Sequence, residues 1–284
     1  MISKLPRWVE AGSFLLALVA GLVNSIGLLG FKHQSISHLS GTATQLGTSF
    51  IITNVADTLH LIFILLSFII GAALSGAFLP SGALKLSHNY SSLLLFEALL
   101  LAGSVYFLSD SSMIGHYLAS AACGLQNALA TTYSGAVIRT THVTGIFTDL
   151  GLMLGAKLRG ESFDSRKARL FLLIISGFIF GGTLGAYSFH FYKFNALFIP
   201  ATICLVLAVS YSVFKAINSK KLKSCAESKL TLICINVSRV TKLPFKAHFF
   251  CHLPRNSLSL LSLMAYGLWL KSDSKFQAQK SPQR

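Results

Sequence analysis

Six segments of the chain are apolar over the length that a helix needs to cross a lipid bilayer. They cover residues 9–31, 59–79, 91–109, 113–135, 168–192 and 194–214. A helix rises about 1.5 Å per residue, so about 20 apolar residues cross the hydrocarbon core. Charged residues make up only 12% of the chain, about half the share in a typical soluble domain. The sequence therefore predicts an all-α fold, a polytopic bundle of transmembrane helices.

The net charge of +15 is concentrated towards one end of the chain. Residues 215–284 hold 13 Lys and Arg against 2 Asp and Glu, whereas residues 1–214 hold 11 against 7. In the apolar part, basic residues cluster before the first segment and between residues 157 and 169. By the positive-inside rule, we expect the N-terminus, this loop and the C-terminal tail to be cytoplasmic. Contact with anionic lipid accounts for the basic tail better than binding to nucleic acid does.

The chain contains an internal repeat. SHLSGTATQLG, residues 37–47, aligns without gaps on THVTGIFTDLG, residues 141–151. GLVNS aligns on GLQNA before it, and GAALSG aligns on GFIFGG after it. Three matches in the same order predict a tandem duplication, so the first helix belongs to a repeated unit and is retained rather than cleaved as a signal peptide. The predicted parts are transmembrane repeat 1 (9–110), transmembrane repeat 2 (112–215) and a basic, cytoplasmic tail (216–284).

Each copy of the repeated motif has a polar face and an apolar face when it is placed on a helix. Small and hydroxyl-bearing residues form the polar face, and two explanations for it remain open. Small residues allow helices to pack closely, and hydroxyls form hydrogen bonds between helices. Packing explains His38, Gln45, His142 and Asp149 less well, because polar and ionisable groups at membrane depth usually face a cavity or a polar interior.

The polar residues of both copies and the amides one helix earlier form the predicted solute site, near the midplane at the interface between repeats. These residues are Asn24, His38, Ser40, Gly41, Thr44, Gln45, Gln126, Asn127, His142, Thr144, Gly145, Thr148 and Asp149. Glu97, Asp149 and His38 are the candidates for proton coupling, because they are ionisable groups within or beside apolar segments. Glycines of the third helix in each repeat, such as Gly71 and Gly177, are expected to serve packing alone.

The two motif segments, 37–54 and 141–156, decide how many spans the bundle has. If they cross the membrane, the total is eight and the repeats are parallel. If they are re-entrant, the total is six and the repeats are inverted, as in transporters with broken helices. The sequence slightly favours full spans, because SFIITN and LMLGA extend the apolar face.

At GLVNS, SHLSGTATQLG, GLQNA and THVTGIFTDLG the sequence resembles the YoaK family, bacterial multi-pass membrane proteins with a domain of unknown function numbered 1275. The Thr-Gly-Asn motif of that family falls on Ser40-Gly41-Thr42. The resemblance covers about residues 9–215 and implies a location in the bacterial inner membrane. It implies no substrate and no activity.

Function is therefore expected to be transport of a small solute. A structural, regulatory or lipid-interacting membrane protein is the alternative. An enzyme is not expected, because HExxH and Gly-x-Ser-x-Gly are absent from the sequence. No metal or cofactor is predicted, and the five cysteines, which have no CxxC spacing, are expected to be reduced. The sequence does not predict an oligomeric state.

Overall fold

A computed structural model describes residues 8–79, 89–134 and 140–217 of the chain, and these residues form helices without any strand. In chain order the helices are α1 (Trp8–Leu29), α2 (Leu39–Ile52), α3 (Val55–Phe78), α4 (Asn89–Ser109), α5 (Ile114–Ser134), α6 (Val143–Leu158), α7 (Ser165–Tyr192) and α8 (198–217), with a 3₁₀ turn at Lys193–Leu197. The all-α expectation is confirmed. The predicted tail lies outside the described residues, apart from its first two.

Four described segments are long and apolar enough to cross a membrane. They are Val9–Leu29, Val55–Phe78, Asn89–Ser109 and Ser165–Ile217. The last one has 53 residues and contains both α7 and α8. α5 has 21 residues, as α4 does, but it is more polar, and α3 and α4 pack along it. The six apolar segments of the sequence thus correspond to α1, α3, α4, α5, α7 and α8.

α1 and α7 run side by side in the same direction. Gly181 faces the carbonyl of Leu18, and Gly185 lies against Leu22. An ion pair joins the starts of the two helices, with Arg166 Nε 3.2 Å from Glu10 Oε1. Bulkier residues would hold the two backbones apart, so the glycines permit the contact.

α3 and α5 form a second parallel pair. The Ser120 hydroxyl donates to the carbonyl of Ile64 at 2.9 Å, and Gly124 faces the carbonyl of Phe68. Gly71 faces the backbone of Ala121 in the same pair. The expectation that Gly71 and Gly177 serve packing is confirmed, since Gly177 faces the carbonyl of Phe14 on α1.

α4 is antiparallel to both α5 and α8. A short turn joins α4 to α5 and places Gly115 against Leu108. On the other flank, the Cys204 thiol contacts Glu97, and the rings of Tyr90 and Tyr211 lie 5.9 Å apart. These directions define two ends of the bundle. We name the end at which α1 begins the N-side, and the end at which α1 ends the far side.

α2 and α6 do not cross the bundle. α1 ends on the far side and α3 begins there, so both ends of the segment that contains α2 lie on the far side. α5 ends and α7 begins on the N-side, which places α6 there. With 14 and 16 residues, the two helices measure about 21 and 24 Å, short of the ~30 Å of a hydrocarbon core. The preference for eight full spans is therefore wrong, because the parallel pairing of α1 with α7 and of α3 with α5 leaves six crossings.

Local signals set the starts of α3 and α7. The Asn54 side chain accepts a hydrogen bond from the Asp57 N–H at 2.8 Å, and Asp164 accepts from the N–H groups of Arg166 and Lys167. Both are N-caps that satisfy the free donors of a first turn. After α6, Gly160 has a φ of +85°, a left-handed conformation that glycine adopts readily.

Single cysteines test the six-span arrangement. In a variant that lacks the native cysteines, we introduce Thr53→Cys, Asp110→Cys or Glu161→Cys, all at exposed positions between helices. We expect a membrane-impermeant maleimide to label positions 53 and 110 from one side of the membrane and position 161 from the other. Labelling of 53 together with 161 would instead mean that α2 crosses the membrane.

Candidate functional site

A carboxyl group is buried near the middle of the bundle. Glu97 lies eight residues after the start of α4 and twelve before its end, and its side chain is 1% exposed. The Cys204 thiol of α8 donates to Glu97 Oε1 at 3.3 Å. Oε2 is buried and has no hydrogen-bond partner among the described residues. A carboxyl at such depth is costly, and intramembrane ionisable groups are by default candidates for function.

Two thiols and an apolar shell surround Glu97. Cys204 on α8 and Cys123 on α5 are buried and free. The neighbouring core on α1 contains Val19 and Val23. None of the ion pairs between described residues includes Glu97. A carboxyl in these surroundings is best accommodated with its proton, because a carboxylate would have no cation to offset its desolvation.

Two amides on α5 lie on the N-side of this carboxyl. Gln126 donates through Nε2 to the carbonyl of Leu16 on α1 at 3.0 Å, while its Oε1 is buried without a partner among the described residues. Asn127 Oδ1 is in the same condition. Unsatisfied buried oxygens are rare in folded proteins and often mark a bound water or ligand. Of the residues predicted from the sequence, Gln126, Asn127 and Glu97 therefore each have a buried oxygen without a partner among the described residues.

Asn24 has a different and structural environment. Its Oδ1 accepts hydrogen bonds from the Ser35 hydroxyl at 2.7 Å and from the backbone N–H and the hydroxyl of Ser37, both at 3.2 Å. These bonds hold the chain before α2 about 7 Å inward from the end of α1. Judged from the Gln126 contact, Asn24 lies about 13 Å along the bundle from Asn127, so the two amides do not meet.

The predicted residues of α2 and α6 are not brought together either, because the two helices lie on opposite sides of the bundle. On α2, His38, Ser40, Thr44 and Gln45 are exposed and Gly41 is half-buried; on α6, His142, Thr144 and Thr148 are exposed, and Gly145 and Asp149 are half-buried. The hydroxyls of Thr44 and Thr148 donate to carbonyls of their own helices. Both histidines occupy the N-cap position without forming a side-chain cap. The polar faces therefore point outwards from the chain.

A pair of histidines lies between Glu97 and the far side. His60 on α3 and His116 on α5 are 6% and 0% exposed, with ring centroids 5.4 Å apart and nearly perpendicular planes. His60 Nδ1 lies 3.1 Å from the Tyr117 hydroxyl. His60 Nε2 and both nitrogens of His116 have no partner among the described residues. Neither histidine is among the residues predicted from the sequence, although both stand in apolar segments, where a histidine is a signal of function.

The chain before α2 covers these histidines. The Phe31 ring contacts His116 edge to face at 5.1 Å. Next to it, Lys32 Nζ lies 2.7 Å from Asp57 Oδ1 on α3, and both side chains are partly exposed. The far side of the histidine pair is thus closed by an aromatic ring and an ion pair.

This arrangement defines a class: a multi-pass helical membrane protein with two short helices that do not cross the bundle and an isolated carboxyl in its centre. The match to a family model is more specific. The chain belongs to the family described as "Protein of unknown function (DUF1275)", whose model matches residues 12–210. Comparison with curated proteins and with solved structures gives no match.

Proposed function

We propose that the protein is a permease for a small solute, with Glu97 as the group that contacts the solute or carries a coupled proton. The observation that carries the proposal is the carboxyl itself, 1% exposed and near the middle of α4, with one oxygen free of partners among the described residues. A charged side chain at the centre of a membrane helix costs about 2.5 kcal/mol or more, so a carboxyl at this depth is a candidate for function. Gln126 and Asn127 add oxygens without partners on the N-side of it.

We infer an inverted duplication, which supports this class of protein. Gly21 and Gly124 are equivalent in the sequence repeat, and each faces a backbone carbonyl of the helix paired with its own. Gly71 and Gly181 also each face a backbone carbonyl of the helix paired with their own. We therefore take Gly181, rather than Gly177 one turn earlier, as the equivalent of Gly71. Inverted repeats that each contain an incomplete or broken helix are a feature of secondary transporters.

The orientation that we propose has the N-side in the cytoplasm and the membrane as the bacterial inner membrane. Of the Lys and Arg residues that the structure describes, six lie on the N-side and two lie on the far side. Those on the N-side are Lys157, Arg159, Arg166, Lys167, Arg169 and Lys215, and those on the far side are Lys32 and Lys193. The positive-inside rule assigns the richer side to the cytoplasm. Anionic lipid of the inner leaflet is the partner that fits this charge.

A structural, regulatory or lipid-interacting protein is the second candidate. The exposed polar faces of α2 and α6 favour it, because hydroxyls such as those of Thr44 and Thr148 suit contacts with another helix. The residues predicted to bind solute on these faces do not line a common site, so the permease proposal rests on Glu97 and its neighbours. Enzymatic chemistry is not part of either proposal.

Solute transport in proteoliposomes tests the permease. Purified protein is reconstituted, a panel of small solutes is offered, and a pH gradient is imposed and then collapsed with an ionophore. We expect uptake of at least one solute above that of protein-free liposomes, with a rate that falls when the gradient collapses. Uptake no greater than in protein-free liposomes across a broad panel would favour the structural role.

A further inference from the structure

A crevice lies between α1, α4, α5 and α8 on the N-side of the bundle. Its volume is about 480 Å³, within the range of about 300–1,000 Å³ of sites for small organic ligands. Apolar and aromatic side chains dominate its walls, among them Leu16, Leu94, Leu129, Leu207, Tyr90 and Tyr211. The crevice is therefore shaped for a compact apolar molecule rather than for a strongly hydrated one.

The described walls of the crevice present hydroxyl groups, but no cation, to an anion. The described residues that line it include no charged side chain. The Ser13 hydroxyl is already donated to the carbonyl of Val9 at 2.7 Å. Tyr90 and Tyr211 present aromatic rings, whose faces attract cations through their quadrupole.

Glu97 lies just beyond the inner end of the crevice. Leu94 lines the crevice, and Glu97 follows it by three residues on α4, about 5 Å further along the helix towards the bundle centre. The titratable groups nearest to the carboxyl are the thiols of Cys204 on α8 and Cys123 on α5, while α1 contributes valines. A single potential negative charge at the end of an apolar, aromatic crevice is complementary to one kind of molecule.

We propose that the crevice binds a lipophilic cation, whose apolar body lies against Leu16, Leu94 and Leu129 and whose charge is balanced by the Glu97 carboxylate. This inference names the substrate class of the permease and rests on that proposed function. Leu94 lines the crevice and Glu97 does not, so the proposal requires the Leu94 side chain to change rotamer when the cation binds.

Binding of the cation is an exchange against a proton. Before the cation binds, the Glu97 carboxyl retains its proton. None of the ion pairs between described residues includes Glu97, so a carboxylate there would lose its hydration without a cation to offset the cost. As the cation arrives, the carboxyl releases that proton through the crevice to water on the N-side. The net charge of the site is unchanged, and the Cys204 thiol continues to donate to Oε1. One proton is therefore released for each cation bound, which couples solute to a pH gradient.

Tetraphenylphosphonium is a suitable probe, because it is a cation with a compact apolar body. Its binding to the full-length protein in detergent is measured by equilibrium dialysis, and proton release is followed with a pH indicator in weakly buffered solution. Tetraphenylborate, an anion of the same shape, tests the sign of the charge. The variants are Glu97→Gln, Leu94→Trp to fill the crevice, and Leu99→Trp as a control on the exposed face of α4.

We expect saturable binding of tetraphenylphosphonium with about one proton released per cation, and weaker binding of tetraphenylborate. Glu97→Gln should abolish proton release and weaken binding at least about tenfold, because the buried cation loses its counter-charge. Leu94→Trp should weaken binding to a similar extent, and Leu99→Trp should leave it unchanged. The proposal is overturned if tetraphenylphosphonium shows no saturable binding. It is also overturned if both Glu97→Gln and Leu94→Trp elute as monodisperse protein and bind with wild-type affinity.

The proteoliposome panel separates this inference from the permease. If a different solute is taken up under a pH gradient while tetraphenylphosphonium does not bind, the protein is a permease and the inferred substrate class is wrong. If tetraphenylphosphonium binds in a Glu97-dependent way and no solute is transported, the cation site stands and the permease fails.

Discussion

Glu97→Gln is expected to abolish transport driven by a pH gradient while the protein still folds and inserts into the membrane. The amide has nearly the size of the carboxyl, and its oxygen can still accept a hydrogen bond from the Cys204 thiol. We therefore expect the free energy of unfolding to change by no more than about 1 kcal/mol. An amide cannot release a proton, so coupling to the gradient is lost. The measurement is the initial rate of solute uptake in proteoliposomes, with and without the gradient, at equal amounts of reconstituted protein.

Three matched variants provide the controls for this experiment. Asp110→Asn removes a carboxylate from the exposed turn between α4 and α5, and we expect it to leave uptake unchanged. Asp149→Asn and His38→Gln change the other two candidates for proton coupling, which lie on α6 and at the start of α2, on opposite sides of the bundle. Gradient-driven uptake that persists in Glu97→Gln would contradict the role of Glu97. Its loss in Asp149→Asn alone would place the coupling on α6.

Gly124→Leu is expected to have the largest effect on stability. Even a Cβ atom at this position would collide with the backbone carbonyl of Phe68, where α3 and α5 cross. Backbone cannot give way as the end of a side chain can, so the two helices have to separate. We expect a loss of about 3 kcal/mol or more, because overpacking in a closed core costs about 1–3 kcal/mol even when side chains can adjust. Thermal unfolding in detergent and elution from a size-exclusion column measure the effect.

Gly76→Leu is the matched control for this substitution. Gly76 is on α3, the helix against which Gly124 of α5 packs; it is exposed and has no atom within 4 Å of the position of a Cβ. Leucine favours a helix over glycine by up to about 1 kcal/mol, so we expect this variant to unfold at the same temperature as the wild type or higher. Equal stability of Gly124→Leu and Gly76→Leu would mean that α3 and α5 are not in contact at Gly124.

The sequence indicates a functional residue where an ionisable side chain stands within an apolar segment. Glu97 is such a case, since a carboxyl in an apolar segment has to be buried somewhere in the bundle. The same reasoning applies to His60 and His116, which the repeat motif does not include. The hydroxyl residues of α2 and α6 are different. Helical periodicity shows that Ser40 and Thr44 share a face, but it does not show what that face meets.

The sequence by itself determined the class of fold, because the thickness of a bilayer sets how long an apolar helix must be and the six long segments meet that length. It also determined which residues share a face, because the helical repeat is a local property. Only the tertiary structure decided that SHLSGTATQLG and THVTGIFTDLG belong to short helices on opposite sides of the bundle. That outcome depends on the direction in which α3 and α7 cross the bundle. Close contacts of glycines such as Gly124 and Gly181 with helices distant in the chain fix that direction. The contact between Glu97 and Cys204 has the same origin. These residues are 107 positions apart in the chain, so packing between helices, rather than a local sequence pattern, brings them together.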